Sequence, residues 1–170
     1  MFVSSRRSTS SSGPGKTAGS EAGNVHLSRP DGPAVEKRFE EIEHTADAAI
    51  KAYGRSRKVL FENAAAGMFS FITDIRKVRP RGEILVRTTA EDIEQLMVHW
   101  LQELLYAYDA QGLLFSKFDV NIRGLNLRAK ARGEAIDRAR HPLRLNLKAV
   151  TYNNLVVDPR AGYATVVFDI

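Results

Sequence analysis

Apolar and polar residues alternate along much of this chain, a pattern that predicts β-strands with one buried face. The longest unbroken alternation spans residues 125–132, where Arg128, Lys130 and Arg132 fall on the polar face. Turn residues at 158–162 join the last two stretches with hairpin chemistry. The predicted strands cover residues 39–42, 48–52, 84–87, 113–118, 120–122, 125–132, 144–152 and 162–170.

Two longer segments carry apolar residues every three or four positions, which predicts amphipathic helices. The first follows Ser56, whose hydroxyl can accept a hydrogen bond from a free first-turn amide, and it runs to about Thr73. The second follows a capping-box signature formed by Thr88 and Glu91 and ends at Gly112. Its apolar face is the strongest in the chain, so we expect it to form much of the core.

Two helices among mostly sequential strands predict an α+β fold, with both main helices packed on one face of a mixed or antiparallel sheet. The folded domain is expected at residues 37–170. Residues 1–36 are rich in Ser, Gly and Pro and hold few large apolar side chains, so we expect a disordered extension. A targeting segment is the alternative for this stretch, although it lacks an amphipathic apolar face.

Composition narrows the class of protein. A hydrophobic fraction of 44% in 170 residues supports a globular domain. The chain contains no cysteine, which excludes disulfides and thiolate metal sites. No apolar run approaches the ~20 residues of a membrane-spanning helix, so we expect a soluble, cytoplasmic protein with no membrane partner.

Most of the net charge of +5 comes from the predicted domain, which has twenty-one basic and seventeen acidic residues from Lys37 onward, a net charge of +4. The basic strand face formed by Arg128, Lys130 and Arg132 is either a solvated surface or a contact for RNA phosphates or an acidic partner. Aromatic residues are not interleaved with it, which disfavours sequence-specific reading of RNA bases.

Carboxylates are concentrated between the first two predicted strands, in a stretch that contains Glu40, Glu41, Glu43 and Asp47. His44 lies three residues before Asp47, and this pair is either a core histidine beside a turn aspartate or part of a cation site. Oxygen ligands with at most one imidazole favour a hard cation such as Ca²⁺ or Mg²⁺ over zinc.

A second acidic position, Asp169, follows the apolar run 166–168, which indicates that this end of the chain is held in the sheet. A carboxylate fixed near other acids favours a neutralising cation. Lys148 is either an ordinary outward lysine or a functional one. No Ser-His-Asp order and no paired histidines occur, so no catalytic residues are predicted.

Several short motifs resemble the archease family, and the resemblance covers residues 38–170. The motifs are Glu43-His44-Thr45-Ala46-Asp47, Ala52-Tyr53-Gly54, Glu62-Asn63-Ala64-Ala65-Ala66-Gly67-Met68-Phe69, Lys148-Ala149-Val150-Thr151-Tyr152 and Val167-Phe168-Asp169-Ile170. The resemblance implies a fold with a strand-helix-strand-strand element and a non-catalytic role as activator of the RNA ligase of tRNA splicing. Archeases promote guanylylation and multiple turnover of that ligase, so RNA would be reached indirectly through it.

Alternative roles that the resemblance leaves open are a chaperone or interaction module for RNA-modifying enzymes such as methyltransferases, and a direct RNA-binding module. It also implies a Ca²⁺ site, or a site for another hard divalent cation, at Asp47, Asp169 and Ile170. His44 and Lys148 would support function. The chain departs from the family pattern with Glu43 in place of Asp, Ala49 near a usual Gly, and Asn153 in place of His.

Overall fold

A computed structural model describes residues 36–43 and 47–170, the side chain of Glu43 excepted. Nearly all of the predicted extension over residues 1–36 lies outside the described residues, and so does His44. The elements are β1 (Phe39–Glu43), β2 (Ala48–Tyr53), α1 (Arg57–Ile72), a 3-10 helix (Ile75–Lys77), β3 (Gly82–Thr89), α2 (Ile93–Gln111), β4 (Leu113–Arg123), β5 (Asn126–Ala135), β6 (Ala149–Asp158) and β7 (Tyr163–Asp169).

The strands form two antiparallel sheets, with the orders β1-β2-β7-β6 and β3-β5-β4. Each helix contacts strands of both sheets. The α+β class is therefore confirmed, and the difference from the prediction is that two sheets share the helices where one sheet was expected. No described helix is both long enough and apolar enough to cross a membrane.

Helix α1 begins and ends where the sequence predicts. The Ser56 hydroxyl accepts a hydrogen bond from the Val59 amide at 3.2 Å, and the helix ends at Thr73. The helix is buried on most sides because it meets strands of both sheets. Gly67 allows this close approach, since a Cβ atom at that position would lie 3.0 Å from Cδ1 of Ile50.

Helix α2 starts later than predicted, because Asp92 and not Thr88 is its N-cap. The Asp92 carboxylate accepts from the Gln95 amide at 2.7 Å, and the Gln95 side chain accepts in return from the Glu91 amide at 2.7 Å. Thr88 belongs to β3, where it pairs with a residue of β5. The predicted end is confirmed, with Gly112 in the left-handed conformation at φ 63°.

The segment predicted as a strand over residues 144–152 enters β6 only at Ala149. Before that point, the amides of Arg144 and Leu145 donate to the carbonyls of Ile72 and Phe71 at 2.9 and 3.0 Å. Those carbonyls lie at the end of α1 and have no intrahelical partner, so residues 144 and 145 cap the helix and lie outside the strand.

The core lies around the two helices, and Trp100 of α2 is its largest fully buried side chain. The Trp100 indole N–H donates to the Phe61 carbonyl of α1 at 3.1 Å. The phenyl rings of Phe69 and Phe115 meet edge to face with centroids 5.4 Å apart, which links α1 to β4. These contacts fix the two helices to each other and fix α1 against the three-stranded sheet.

Candidate functional site

One end of the four-stranded sheet collects residues from distant parts of the chain. Ala48 of β2 lies opposite Phe168 of β7, and Ala149 of β6 lies opposite Asp169. Asp47 directly precedes Ala48, so it reaches the same end of the sheet as Asp169. The strand register therefore brings together the two aspartates that the sequence marked separately.

Lys148 also lies at this end. Its backbone amide donates to the Asp169 carbonyl at 2.8 Å, and its Nζ ammonium donates to the Ile170 oxygen at 3.1 Å. Asp47, Lys148, Asp169 and Ile170 are called the strand-end site below. Asp47 is half-buried and the other three are exposed, so a partner can reach the site.

The strand-end site is held in place by the buried end of β7. Val166, Val167 and Phe168 are all buried, and the Phe168 ring packs edge-on against Phe71 of α1 with centroids 6.1 Å apart. Burying one phenylalanine side chain contributes about 1.5–3 kcal/mol. This agrees with the expectation that the chain is pinned in the sheet at Asp169, and it leaves the carboxylate at a fixed position.

The donor atoms of the strand-end site are oxygens, the type of ligand that hard cations prefer. They comprise two carboxylates and the Ile170 oxygen, and Ca²⁺ takes oxygen ligands of these types. The described ranges hold no group of three or more His, Cys, Asp or Glu residues placed to bind a metal. The Lys148 ammonium, which already bonds to Ile170, would be the nearest competitor of a cation.

Two other carboxylates of the acidic stretch, those of Glu40 and Glu41, have partners of their own. Glu40 is bonded to Lys37 and to the Tyr53 hydroxyl, and the Lys37 ammonium lowers the pKa of that carboxyl. Glu41 accepts from the Ser70 hydroxyl at 3.3 Å. These two side chains therefore fasten β1 to its surroundings and are not ligands at the strand-end site.

The predicted basic strand face is exposed on β5 as expected, but its members differ in pairing. Lys130 and Arg132 form ion pairs with Glu83 of β3, at 3.2 and 3.1 Å. Arg132, followed by Lys130, lowers the pKa of the Glu83 carboxyl. Arg128 takes part in none of the ion pairs found within the described residues.

A polar cluster that the sequence did not indicate lies at the end of β5 and in the loop that follows it. The Glu134 carboxylate accepts from the Arg79 amide at 2.8 Å and from the Arg140 guanidinium at 2.9 Å. These bonds, with that of Arg140 the largest cause, lower the pKa of Glu134 to about 2. His141 is buried, and its Nε2–H donates to Glu134 at 3.2 Å because its Nδ1 accepts from the Asp137 amide. We interpret this cluster as structural, because it joins the end of β5 to the loop after it and to the segment before β3.

The fold and the strand-end site together define a small α+β domain of two antiparallel sheets, with exposed polar residues converging at one sheet end. Residues 39–170 match the archease protein family (MTH1598/TM1083). The chain belongs to the archease family, as its sequence motifs indicate.

Two relatives align with this chain over nearly their whole length. The protein archease of Sulfurisphaera tokodaii is 41% identical over 134 residues, which is 78% of this chain and 96% of that protein. The protein archease of Methanosarcina mazei is 42% identical over 145 residues, or 81% of this chain and 99% of that protein. Both alignments therefore span the domain that the structure describes.

Solved structures show the same fold. Protein 1598 of Methanobacterium thermoautotrophicum, determined in solution, superposes with a TM-score of 0.67 at 36% identity and covers 78% of this chain and 99% of its own. A crystal structure from Thermotoga maritima, described as an archease and possible chaperone, superposes with a TM-score of 0.52 at 20% identity, covering 77% and 96%. At that identity the second structure supports the fold alone.

Proposed function

We propose that this protein is a non-catalytic activator of an RNA-splicing ligase and that it acts through the strand-end site. Membership of the archease family supports the proposal, together with the family role that the sequence motifs imply. The observation that carries it is the convergence of Asp47, Asp169, Ile170 and Lys148 at one exposed sheet end. A small domain can place such an end beside a partner's reactive pocket.

Asp47, Asp169 and the Ile170 oxygen would hold a Ca²⁺ ion or another hard divalent cation. When bound, the ion would supply positive charge that orients acidic groups of the ligase or of its nucleotide. Lys148 holds the Ile170 oxygen in position through its ammonium group. The contribution of this chain is positional, because rigid strands fix where the carboxylates lie, and positioning alone can raise a rate strongly.

The proposal is tested by ligation of matched RNA ends with purified ligase, with and without the full-length protein. We expect multiple turnover and faster guanylylation of the ligase when the protein is present. Asp47→Ala and Lys148→Ala should each lower the gain by at least about tenfold, a loss of roughly 1.4 kcal/mol in activation free energy.

Asp109→Asn is the matched control, because it removes an exposed carboxylate of α2 that lies outside the strand-end site. This variant should activate the ligase as well as the unmodified protein. An unmodified protein that gives no increase in turnover would refute the proposed function. Equal losses in Asp47→Ala and Asp109→Asn would show that the strand-end site is not the active part.

A second candidate is a chaperone or interaction module for RNA-modifying enzymes. The relevant observation is that Tyr106, Tyr152 and Leu85 are 63%, 59% and 62% exposed. Exposed apolar side chains can hold the unfolded segments of a partner protein. This function predicts that the protein suppresses aggregation of a methyltransferase and that Asp47→Ala suppresses it equally well.

A further inference from the structure

The outer face of the three-stranded sheet divides into two halves that differ in charge balance. The register aligns Leu85 of β3, Lys130 of β5 and Asp119 of β4 in one row. Two residues further along each strand, Arg87 and Arg128 stand opposite each other. The first half also contains Glu83, Lys117 and Arg132, and the second half also contains Thr89, Asn121, Arg123 and Asn126.

In the first half the charges neutralise one another. Glu83 lies between Lys130 and Arg132 and contacts both at 3.2 and 3.1 Å. Asp119 pairs with Lys58, which approaches from α1. This half therefore already has internal partners for both acids and for most of its bases.

In the second half no such compensation exists among the described residues. Arg87 lies directly across from Arg128, and like charges at this position destabilise an antiparallel pair. Arg123 stands one row further along β4, and no ion pair of the described residues includes any of these three arginines. No carboxylate of the described residues offsets the repulsion between Arg87 and Arg128, so an anion bound from outside would relieve it.

The three arginines line a cleft of about 920 Å³, called the arginine cleft below. Asn121 and Asn126 place amide groups along it. His99 of α2 forms part of its wall, and because a carbonyl only accepts, its Nδ1–H donates to the Thr89 oxygen at 3.0 Å. The lining is thus rich in hydrogen-bond donors, and three of its donors carry a permanent positive charge.

We propose that the arginine cleft binds the phosphate groups of an RNA backbone. Guanidinium groups match phosphate oxygens with two parallel hydrogen bonds, and amides commonly supply further backbone contacts. No Phe, Tyr or Trp is among the described residues that line the cleft. The centres of protein–protein interfaces are enriched in aromatic residues, whereas nucleic-acid interfaces are polar and strongly positive, so the lining favours a nucleic acid.

Binding in this cleft is expected to be independent of base sequence, because no aromatic ring is available for bases to stack on. The choice of RNA over DNA rests on the proposed function, in which the ligase partner acts on RNA. The phosphate chemistry itself does not rest on that function. Direct binding to the isolated protein therefore separates the two proposals.

The test is a fluorescence-anisotropy titration of the full-length protein with a labelled oligouridylate of about 16 nucleotides, the upper site size of small single-strand binders. Neutralising three phosphates should give a slope of about −2 for log K against log salt concentration. The double variant Arg87→Gln/Arg128→Gln should flatten this slope to about −0.7. It should also weaken binding at least about fivefold at low salt.

The matched control is Lys130→Gln/Arg132→Gln, which removes two positive charges from the same sheet face but from the paired half. It should bind the oligonucleotide like the unmodified protein, and so should Asp47→Ala. Thermal unfolding checks that Arg87→Gln/Arg128→Gln is folded, and we expect it to be at least as stable because the repulsion is gone.

Equal weakening by the two double variants would overturn the inference, because it would show a general effect of net charge. Absence of binding at low salt would overturn it as well. If a polyglutamate peptide of equal charge displaced the RNA equally well, the cleft would fit an acidic protein surface and the assignment to RNA would be wrong. If the unmodified protein bound the oligouridylate but did not activate the ligase, only the proposed function would be refuted.

Discussion

The substitution Asp47→Asn should raise the stability of the metal-free protein and lower that of the cation-loaded protein. Extending the register of β2 and β7 by one residue beyond Ala48 and Phe168 places Asp47 across from Asp169, so this sheet end carries two carboxylates that we expect to repel each other without a cation. Like charges across antiparallel strands cost about 0.2–1 kcal/mol. Asparagine keeps the shape of the side chain and removes this repulsion.

The expected change in melting temperature follows from the number of residues in the domain. An unfolding entropy of about 2.1 cal/mol/K per residue over roughly 130 matched residues makes 1 kcal/mol equivalent to about 4 °C. In chelator, Asp47→Asn should therefore melt about 1–4 °C above the unmodified protein. With Ca²⁺ at one hundred times its Kd, the unmodified protein gains about 2.7 kcal/mol, or close to 10 °C. The variant has lost an anionic ligand and should gain less than half of this.

The order of the two melting temperatures should therefore reverse when calcium is added. Differential scanning calorimetry in chelator and in excess Ca²⁺ measures this, and the fluorescence of the single buried Trp100 gives a second probe. Asp109→Asn is the control, with little change in either condition. A lower melting temperature of Asp47→Asn in chelator would refute the repulsion, and an undiminished calcium shift would refute Asp47 as a ligand.

Three further predictions concern the stability of the frame around the sites. The pKa of Glu134 is lowered from 4.5 to about 2, chiefly by Arg140. Its contribution to folding stability is therefore present above pH 4.5 and is lost as the pH falls toward 2. Glu134→Gln should reduce the dependence of the unfolding free energy on pH in this range, measured by urea denaturation at each pH. Trp100→Phe removes the indole donor to the Phe61 carbonyl, which keeps its intrahelical bond, and puts a smaller ring in place of the largest fully buried side chain, so it should cost about 0.5–3 kcal/mol in urea denaturation. Gly133→Ala should prevent folding, measured by circular dichroism, because its Cβ would lie 1.7 Å from the Leu114 oxygen.

Local signals in the sequence predicted most element ends because they act within a few residues. Ser56 caps α1 through the amide three residues on, and Gly112 ends α2 because it adopts a positive φ. The predicted start of α2 was wrong because two residues have the capping-box spacing: Thr88 and Asp92 each stand three residues before a Glu or Gln. Only tertiary pairing of Thr88 within β3 decides between them.

Long-range pairing is what the alternation of residues could not show. Arg144 and Leu145 alternate like strand residues, yet their amides bond to the end of α1 because carbonyls there lack partners. Arg87 was placed on a predicted strand without a role, since its significance comes from standing opposite Arg128. The acidic stretch marked Asp47 and the apolar run 166–168 marked Asp169, and the family resemblance implied that both bind one cation. Their common sheet end follows only from the register of β2 and β7.

The division into two sheets keeps opposite charges of one small domain apart. The carboxylates of the strand-end site lie at the end of strands in one sheet, and the arginine cleft lies on strands of the other, with no strand shared. Because the strands are rigid, the carboxylates of the strand-end site cannot form ion pairs with the arginines of the cleft. Each set of charges therefore stays available for a ligand from outside. Both helices contact both sheets, so a coupling between the ligands that is carried by packing would pass through the core around Trp100. Cores are close-packed and transmit strain, whereas exposed charges are screened by salt. Coupling that survives high salt would therefore travel through the helices, and coupling that disappears would be electrostatic.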